Sequence, residues 1–269
     1  LLRIKIIGTI SDILYKTDEP DKALEQWNNA KKLGSDSKTL EKKIKTKKYI
    51  EEKAKPFINK NQIIVNASKG IEENTLYTLT DILHENLPEN EIAVLSGPSH
   101  AEEGSREIPT TCVVGANNKD TAKFLQDVFM NESFRVYSST DVIGIELGGS
   151  LKNVIALAAG ISDGLDFGDN TKAALMTRGI AEISRLGITM GGRMETFAGL
   201  SGVGDLIVTC SSKHSRNRMA GYYIGKGYTP KEAMEKVQQV VEGVNSAKAA
   251  LALAKKHKVE LPIVEQINL

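Results

Sequence analysis

The 269 residues include only two cysteines, four histidines and one tryptophan. Cys112 and Cys210 stand in separate apolar contexts, so neither a disulfide framework nor a cysteine-based zinc site is indicated. Both read as small buried hydrophobes. The histidines form no HExxH or comparable cluster, so no metal site is expected. Aromatic residues make up 5%, and the lysine-heavy stretch 31–60 lacks the aromatic interleaving of a nucleic-acid surface. That stretch reads as a solvated helix. Neither sign of charge dominates: 35 Lys and Arg face 34 Asp and Glu, for a net +1. This excludes an acidic solvating chain and a globally basic coat, so an anion would need a local basic cluster. No apolar run reaches the roughly 20 residues that span a bilayer. The start, LLRIKIIG, is too short and too quickly polar for a signal peptide. The expectation is a cytoplasmic protein without a nucleic-acid partner or stable membrane insertion.

Hydrophobic residues make up 41%, enough for a substantial core, and the length suits one large domain or two ordinary ones. Short apolar strands are expected at 3–7, 62–66, 92–95, 111–114 and 134–137, with helices at 75–85 and 119–129. Residues 49–57 read as the end of a helix. The alternation indicates an α/β layer structure. From about residue 139 the pattern becomes helical, with helices expected at 142–161, 170–186, 216–224, 230–241 and 246–257. Pro230 fits a first helical position behind the cap Thr229. Two domains are therefore expected, 1–138 and 139–269.

Several polar residues stand where they need an explanation. Ser68-Lys69-Gly70 follows a predicted strand, and ligands in open α/β sheets bind beyond such ends. Gly97-Pro98-Ser99-His100-Ala101 repeats the arrangement after the next strand: glycine permits close approach, and Ser99 can donate to an oxyanion. Lys152 and Asn153 interrupt a segment that otherwise wants burial, and a buried ammonium is costly unless paired or used. Small residues at 148–150 would let a helix or cofactor approach closely. Asp205, in the glycine-rich run GVGDLIVTC, can pair with such a lysine or cap a helix. Arg216 offers the planar fork suited to phosphate, and Asn217 supplies a donor and an acceptor. Turn lysine, helix cap and surface arginine remain the plain alternatives.

The blocks NASKGIE (66–72), LSGPSHAEE (95–103), FRVYSSTDVIGIELGGSLKNVIALAAGISDGL (134–165), GDNTKAALMTRGIAEISRLG (168–187), GLSGVGDLIVTCSSKHSRNR (199–218) and VVEGVNS (240–246) carry a resemblance. From about residue 60 onward the chain resembles the bacterial-type NAD(P)-dependent glycerol-3-phosphate dehydrogenases. That resemblance implies a Rossmann-like dinucleotide-binding domain, then a mostly α-helical C-terminal domain, with the site between them. It implies Lys152 as the central catalytic lysine, with Lys69 and Asp205 beside it. Gly97, Ser99, Ser215, Arg216 and Asn217 would line the substrate. Gly8, Lys69, Ala101, Arg216, Val240 and Glu242 would face NAD or NADP. The implied reaction is reversible reduction of dihydroxyacetone phosphate to sn-glycerol 3-phosphate, which supplies glycerophospholipid synthesis. The implied partner is a small phosphorylated three-carbon substrate, and a homodimer stays open. In one respect the chain departs from the family: Ile6-Ile7-Gly8 leads into Thr9-Ile10-Ser11-Asp12 without the remaining glycines of G-x-G-x-x-G. A dehydrogenase-like binding or structural protein with a degenerate nucleotide site is the alternative.

Overall fold

The computed structural model describes residues 4–7, 55–238 and 241–269. Five strands form one sheet in sequence order: β1 (Ile4–Ile7), β2 (Ile63–Asn66), β3 (Ile92–Ser96), β4 (Thr110–Ala116) and β5 (Phe134–Ser139). β1, β2 and β3 run parallel, with Ile7 opposite Asn66 and Asn66 opposite Val94. β4 runs antiparallel to β3 and parallel to β5. The link from β3 to β4 holds only the four-residue helix α2 (Ala101–Gly104), so the chain turns back instead of building a crossover.

The short apolar runs become central strands because both faces of the sheet are covered. On one face Val65, Val114 and Val136 pack against Ala122 and Leu125 of α3 (Lys119–Phe129). On the other, Ile64 and Ile92 meet Ile82 and Leu83 of α1 (Leu79–Asn86). Helix α1 begins four residues later than the apolar spacing predicts. Thr78 and Asp81 form a reciprocal capping box, and that sets the boundary. Residues 55–57 form one 3₁₀ turn; the rest of the helix end expected at 49–57, and most of the lysine-rich stretch, lie outside the described residues.

The second layer is built around α4 (Val142–Gly164), capped by Asp141, whose carboxylate accepts from Gly144 N at 3.0 Å. Helix α4 is long and apolar enough to cross a membrane by composition alone, but 89% of its most apolar window is buried inside the protein. Around it stand α5 (Gly168–Thr189), α6 (Met194–Phe197), α7 (Asp205–Ser211), α8 (Arg216–Gly225), α9 (Pro230–Val237), α10 (Glu242–His257) and α11 (Pro262–Ile267). Val94 and Val113 of the sheet meet Ile145 of α4, which joins the two layers.

Helices α4 and α8 cross backbone to backbone. A methyl at Gly160 would lie 2.0 Å from the Arg218 carbonyl oxygen, and one at Gly221 would lie 2.0 Å from that of Leu157. This crossing brings the start of α8 against the middle of α4. Helix α9 stops at Val237, short of the predicted 241, because Gln238 takes a left-handed φ of 56°. Helix α10 starts at Glu242 instead of 246. Gly243, in its first turn, lets the helix touch α4: a methyl there would stand 2.6 Å from Asn153 O.

Candidate active site

Three elements converge where the parallel strands end. Lys69 lies on the loop after β2, Lys152 in the middle of α4, and Asp205 at the first position of α7. A five-residue π turn, Leu200–Gly204, leads straight into α7. Glycines 148 and 149 make the convergence possible. A side chain at Gly148 would lie 2.6 Å from Ser201 O, and one at Gly149 would lie 2.8 Å from Ser96 Oγ and 3.5 Å from the Lys69 stem. Where the small residues at 148–150 are expected to admit a helix or cofactor, the neighbours are the π turn on one side and the Lys69 loop on the other.

Asp205 divides its carboxylate between the two lysines. Lys69 Nζ donates to Oδ2 at 2.6 Å and Lys152 Nζ to Oδ1 at 2.5 Å. Lys152 also donates to Thr209 Oγ1 at 2.5 Å. The Thr209 hydroxyl donates its proton to Asp205 O at 2.6 Å, so toward Lys152 it can only accept. Lys69 Nζ reaches Gly97 O at 3.4 Å. Each ammonium therefore keeps one N–H with no partner among the described residues. The cluster holds two cations on one carboxylate, which leaves a surplus positive charge in a largely buried place.

Burial would discharge all three groups, and their mutual attraction opposes it. Asp205 is held below the usual carboxylate range because the two ammonium charges outweigh its desolvation. Lys69 is raised, as Asp205 outweighs its own burial. For Lys152 burial wins: aided by the Lys69 charge and opposed by Asp205, it lowers the ammonium to about 8. The Cys210 thiol beneath is pushed up to about 12 by burial.

A second network adjoins the first through Asn153. Its Nδ2 donates to Glu242 Oε2 at 2.9 Å, and its Oδ1 accepts from Asn217 Nδ2 at 3.0 Å. Asn217 Oδ1 accepts in turn from Gly243 N at 2.8 Å. Arg216 stands 3.7 Å from Glu242 with its side chain 36% exposed, so the fork remains open to solvent. Ser215 caps α8, accepting from Arg218 N at 3.2 Å. Arg218 turns the other way, to Asp163 at 2.6 Å, and fastens α8 to the far end of α4.

The structure thus brings Lys69, Lys152, Asp205 and Gly97 into one cluster and Arg216, Asn217 and Glu242 into its neighbour. Ser99 is turned back on its own loop, donating to Gly97 O at 3.2 Å, and Ala101 is exposed at the start of α2. Gly8 and Val240 lie outside the described residues. Thr209 was not anticipated, although its spacing of one turn after Asp205 signals it. Asn153 drew attention only as a polar interruption; its partners are distant in sequence and nothing local announces them. His100, beside Lys152, has a buried Nε2 without a hydrogen-bond partner among the described residues, and burial and the Lys152 charge lower its pKa.

A sheet with three parallel strands, set against a helical layer, defines a protein with a Rossmann-like N-terminal domain and a mostly helical C-terminal domain. Residues 41–122 match the family described as NAD-dependent glycerol-3-phosphate dehydrogenase N-terminus, and residues 141–269 the family described as its C-terminus. The chain belongs to the NAD-dependent glycerol-3-phosphate dehydrogenase family. It is 62% identical over 221 residues to the glycerol-3-phosphate dehydrogenase [NAD(P)+] of Fusobacterium nucleatum, a match covering 81% of this chain and 66% of that protein. It is also 62% identical over 216 residues to that of Agathobacter rectalis, covering 80% and 64%. The crystal structure of glycerol-3-phosphate dehydrogenase from Coxiella burnetii superposes with a TM-score of 0.76 at 41% identity, covering 79% of this chain and 65% of that one. The chain therefore spans just under two thirds of the length of these relatives.

Proposed function

We propose that the protein is an oxidoreductase that interconverts dihydroxyacetone phosphate and sn-glycerol 3-phosphate with NAD or NADP. In this reading residues 1–138 form the cofactor domain and 139–269 the substrate domain. The observation that carries it is the buried Lys69–Asp205–Lys152 cluster, whose surplus positive charge suits an oxygen that becomes negative during reaction. A dinucleotide fits the same edge. β1, β2 and β3 end side by side there, and Arg216 and Glu242 offer a guanidinium and a carboxylate at its rim. The bound cofactor supplies or accepts the hydride.

The residues divide the remaining work. In the reducing direction Lys152, as an ammonium, directs its free N–H at the ketone oxygen and gives up that proton as the alcohol forms. In the oxidising direction its neutral amine takes the proton back. Lys69 adds a second donor to the same oxygen. Asp205 holds both ammonium groups at hydrogen-bond distance and keeps them from parting. Asn217 orients polar groups of the three-carbon chain, while Ser215 and Arg216 hold its phosphate. Gly97, Ser99, Ala101 and Glu242 complete the substrate and cofactor walls. Substrate and cofactor are both solutes of the cytoplasm, which supports that compartment as the place of work.

Addition of dihydroxyacetone phosphate to the folded chain with NADH or NADPH should consume the reduced nicotinamide, followed by its absorbance. No turnover with either cofactor would return the binding-protein alternative. A narrower expectation concerns Arg216→Ala. It should weaken use of dihydroxyacetone phosphate by about 2 kcal/mol, the worth of a hydrogen bond to a charged group. Use of unphosphorylated dihydroxyacetone should hardly change. Equal losses for the two substrates would end the phosphate role.

A further inference from the structure

Helix α4 carries Lys152 and also grips the loop that carries Lys69. Asn66 ends β2 and folds over the start of that loop. Its Oδ1 accepts from Ser68 N at 2.9 Å and its Nδ2 donates to Ser68 O at 3.1 Å. The same Nδ2 donates to Glu146 Oε1 on α4 at 3.3 Å. Beyond Lys69, Gly70 N donates to Ser150 Oγ on α4 at 2.9 Å. Glu146 and Ser150 are one turn apart on the same face of the helix, and Lys69 lies between the two attachments.

Glu146 is 6% exposed and forms no ion pair among the described residues. A buried carboxylate without a cation is expensive, and burial raises its pKa to about 7. Further bonds come from Thr80, whose N donates to Oε1 at 3.0 Å and whose hydroxyl donates to Oε2, and the Thr78 side chain adds to them. Thr80 is in the first turn of α1, so the carboxylate also meets the positive end of that helix. A hydrophobic residue could join two packed helices at less cost. What it could not do is hold Asn66.

We propose that Glu146 is a positioning residue for Lys69: with Ser150, it ties the Lys69 loop to the helix bearing Lys152, so that two ammonium groups from separate elements reach the two oxygens of Asp205. The proposal rests on the reading above only in giving Lys69 a role in turnover; the anchoring itself is independent of it.

The test uses the full chain with Glu146→Leu, Glu146→Gln and Ser150→Ala, each alone and with Lys69→Ala. Amide exchange at Ser68 should become about tenfold faster in Glu146→Leu, the size expected for one lost net hydrogen bond. It should stay near wild type in Glu146→Gln. The glutamine carbonyl still accepts from Thr80 N and Asn66, and its amide can donate to a reoriented Thr80 hydroxyl. Ser150→Ala should speed exchange at Gly70. Turnover should fall about tenfold in Glu146→Leu, mainly in kcat, and recover in Glu146→Gln. In the Lys69→Ala background Glu146→Leu should cost nothing further, because coupled residues are non-additive. Unchanged exchange at Ser68 in Glu146→Leu, or a full additional loss in the double variant, would overturn the proposal. If Glu146→Leu does not fold, Thr80→Val, which removes one of the carboxylate's donors, carries the same comparisons. Absent wild-type turnover would remove the dehydrogenase reading, while exchange at Ser68 would still decide the anchoring.

Discussion

Lys152→Ala is expected to slow reduction of the ketone by roughly 10² to 10⁴, the range for loss of a positioned general acid. Fold and reduced-cofactor affinity should survive, because Asp205 keeps Lys69 as a counter-charge at 2.6 Å. Lys152→Gln preserves much of the volume without a suitable acid and should not rescue. Lys152→Arg keeps the charge but parts with a proton poorly and must fit where the lysine is 5% exposed. The wild-type pH profile follows from the same group. Burial, helped by the Lys69 charge and opposed by Asp205, lowers its ammonium to about 8. The protonated form needed for reduction dominates below that value, so reduction should fail as pH rises through about 8. Oxidation needs the amine and should gain over the same interval. Single-turnover oxidation of the reduced nicotinamide, beside cofactor titration and thermal unfolding, checks these statements. Hydride transfer near the wild-type rate in Lys152→Ala would remove Lys152 as the acid; loss of the fold would make it a structural lysine at the domain seam.

Asp205→Asn should do comparable damage by a different route. It leaves two ammonium groups with no carboxylate between them in a place where Asp205 is 1% exposed. Removing one partner of a buried ion pair costs about 3 to 5 kcal/mol. Part of that cost can be relieved if a lysine loses its proton. Lys152 is the group already lowered, and Asp205 is the attraction holding it up. The falling limb of the reduction profile should therefore move to lower pH, by about one pKa unit for each 1.4 kcal/mol of lost attraction. The midpoint of thermal unfolding should drop by about 10 °C at neutral pH. pH–rate profiles and unfolding curves on the same preparations measure both. A limb that stays where it is in the wild type would show that Asp205 does not set the Lys152 proton. Glu146→Gln offers an independent check of sign. The Glu146 carboxyl is raised to about 7, so the folded state binds the extra proton between the unfolded value and about 7, and stability is lost as pH rises through that window. The glutamine variant should gain on wild type in unfolding temperature from about pH 4 to about pH 8, the span that brackets the carboxyl's unfolded value of 4.5 and its folded value of about 7.

Much of this architecture is legible in local patterns. The span of α3 follows directly from its apolar spacing and the Asn118 cap, and Pro230 behind Thr229 marks the start of α9. Lys152 declares itself as a charge inside an apolar helix. Such signals work because a helix or a strand repeats within four residues, so its neighbours in space are its neighbours in sequence. They fail at the start of α10, expected at 246 and found at Glu242, where Gly243 is a contact surface. They fail also at the return of β4, where the length of the connecting helix decides strand direction.

The chemistry of the site lay in the sequence as residue types, and its geometry did not. Lys69 and Asp205 are separated by 136 positions, Glu146 and Thr80 by 66, and Asn153 and Glu242 by 89. No periodicity reaches so far. What joins them is how closely elements can approach, which glycines at 148, 149, 160 and 221 set to a few ångströms. The sequence by itself determined which residues were costly to bury. Tertiary packing alone decided that Asp205 would stand between two lysines, because a buried charge is tolerated only where the fold brings another to meet it.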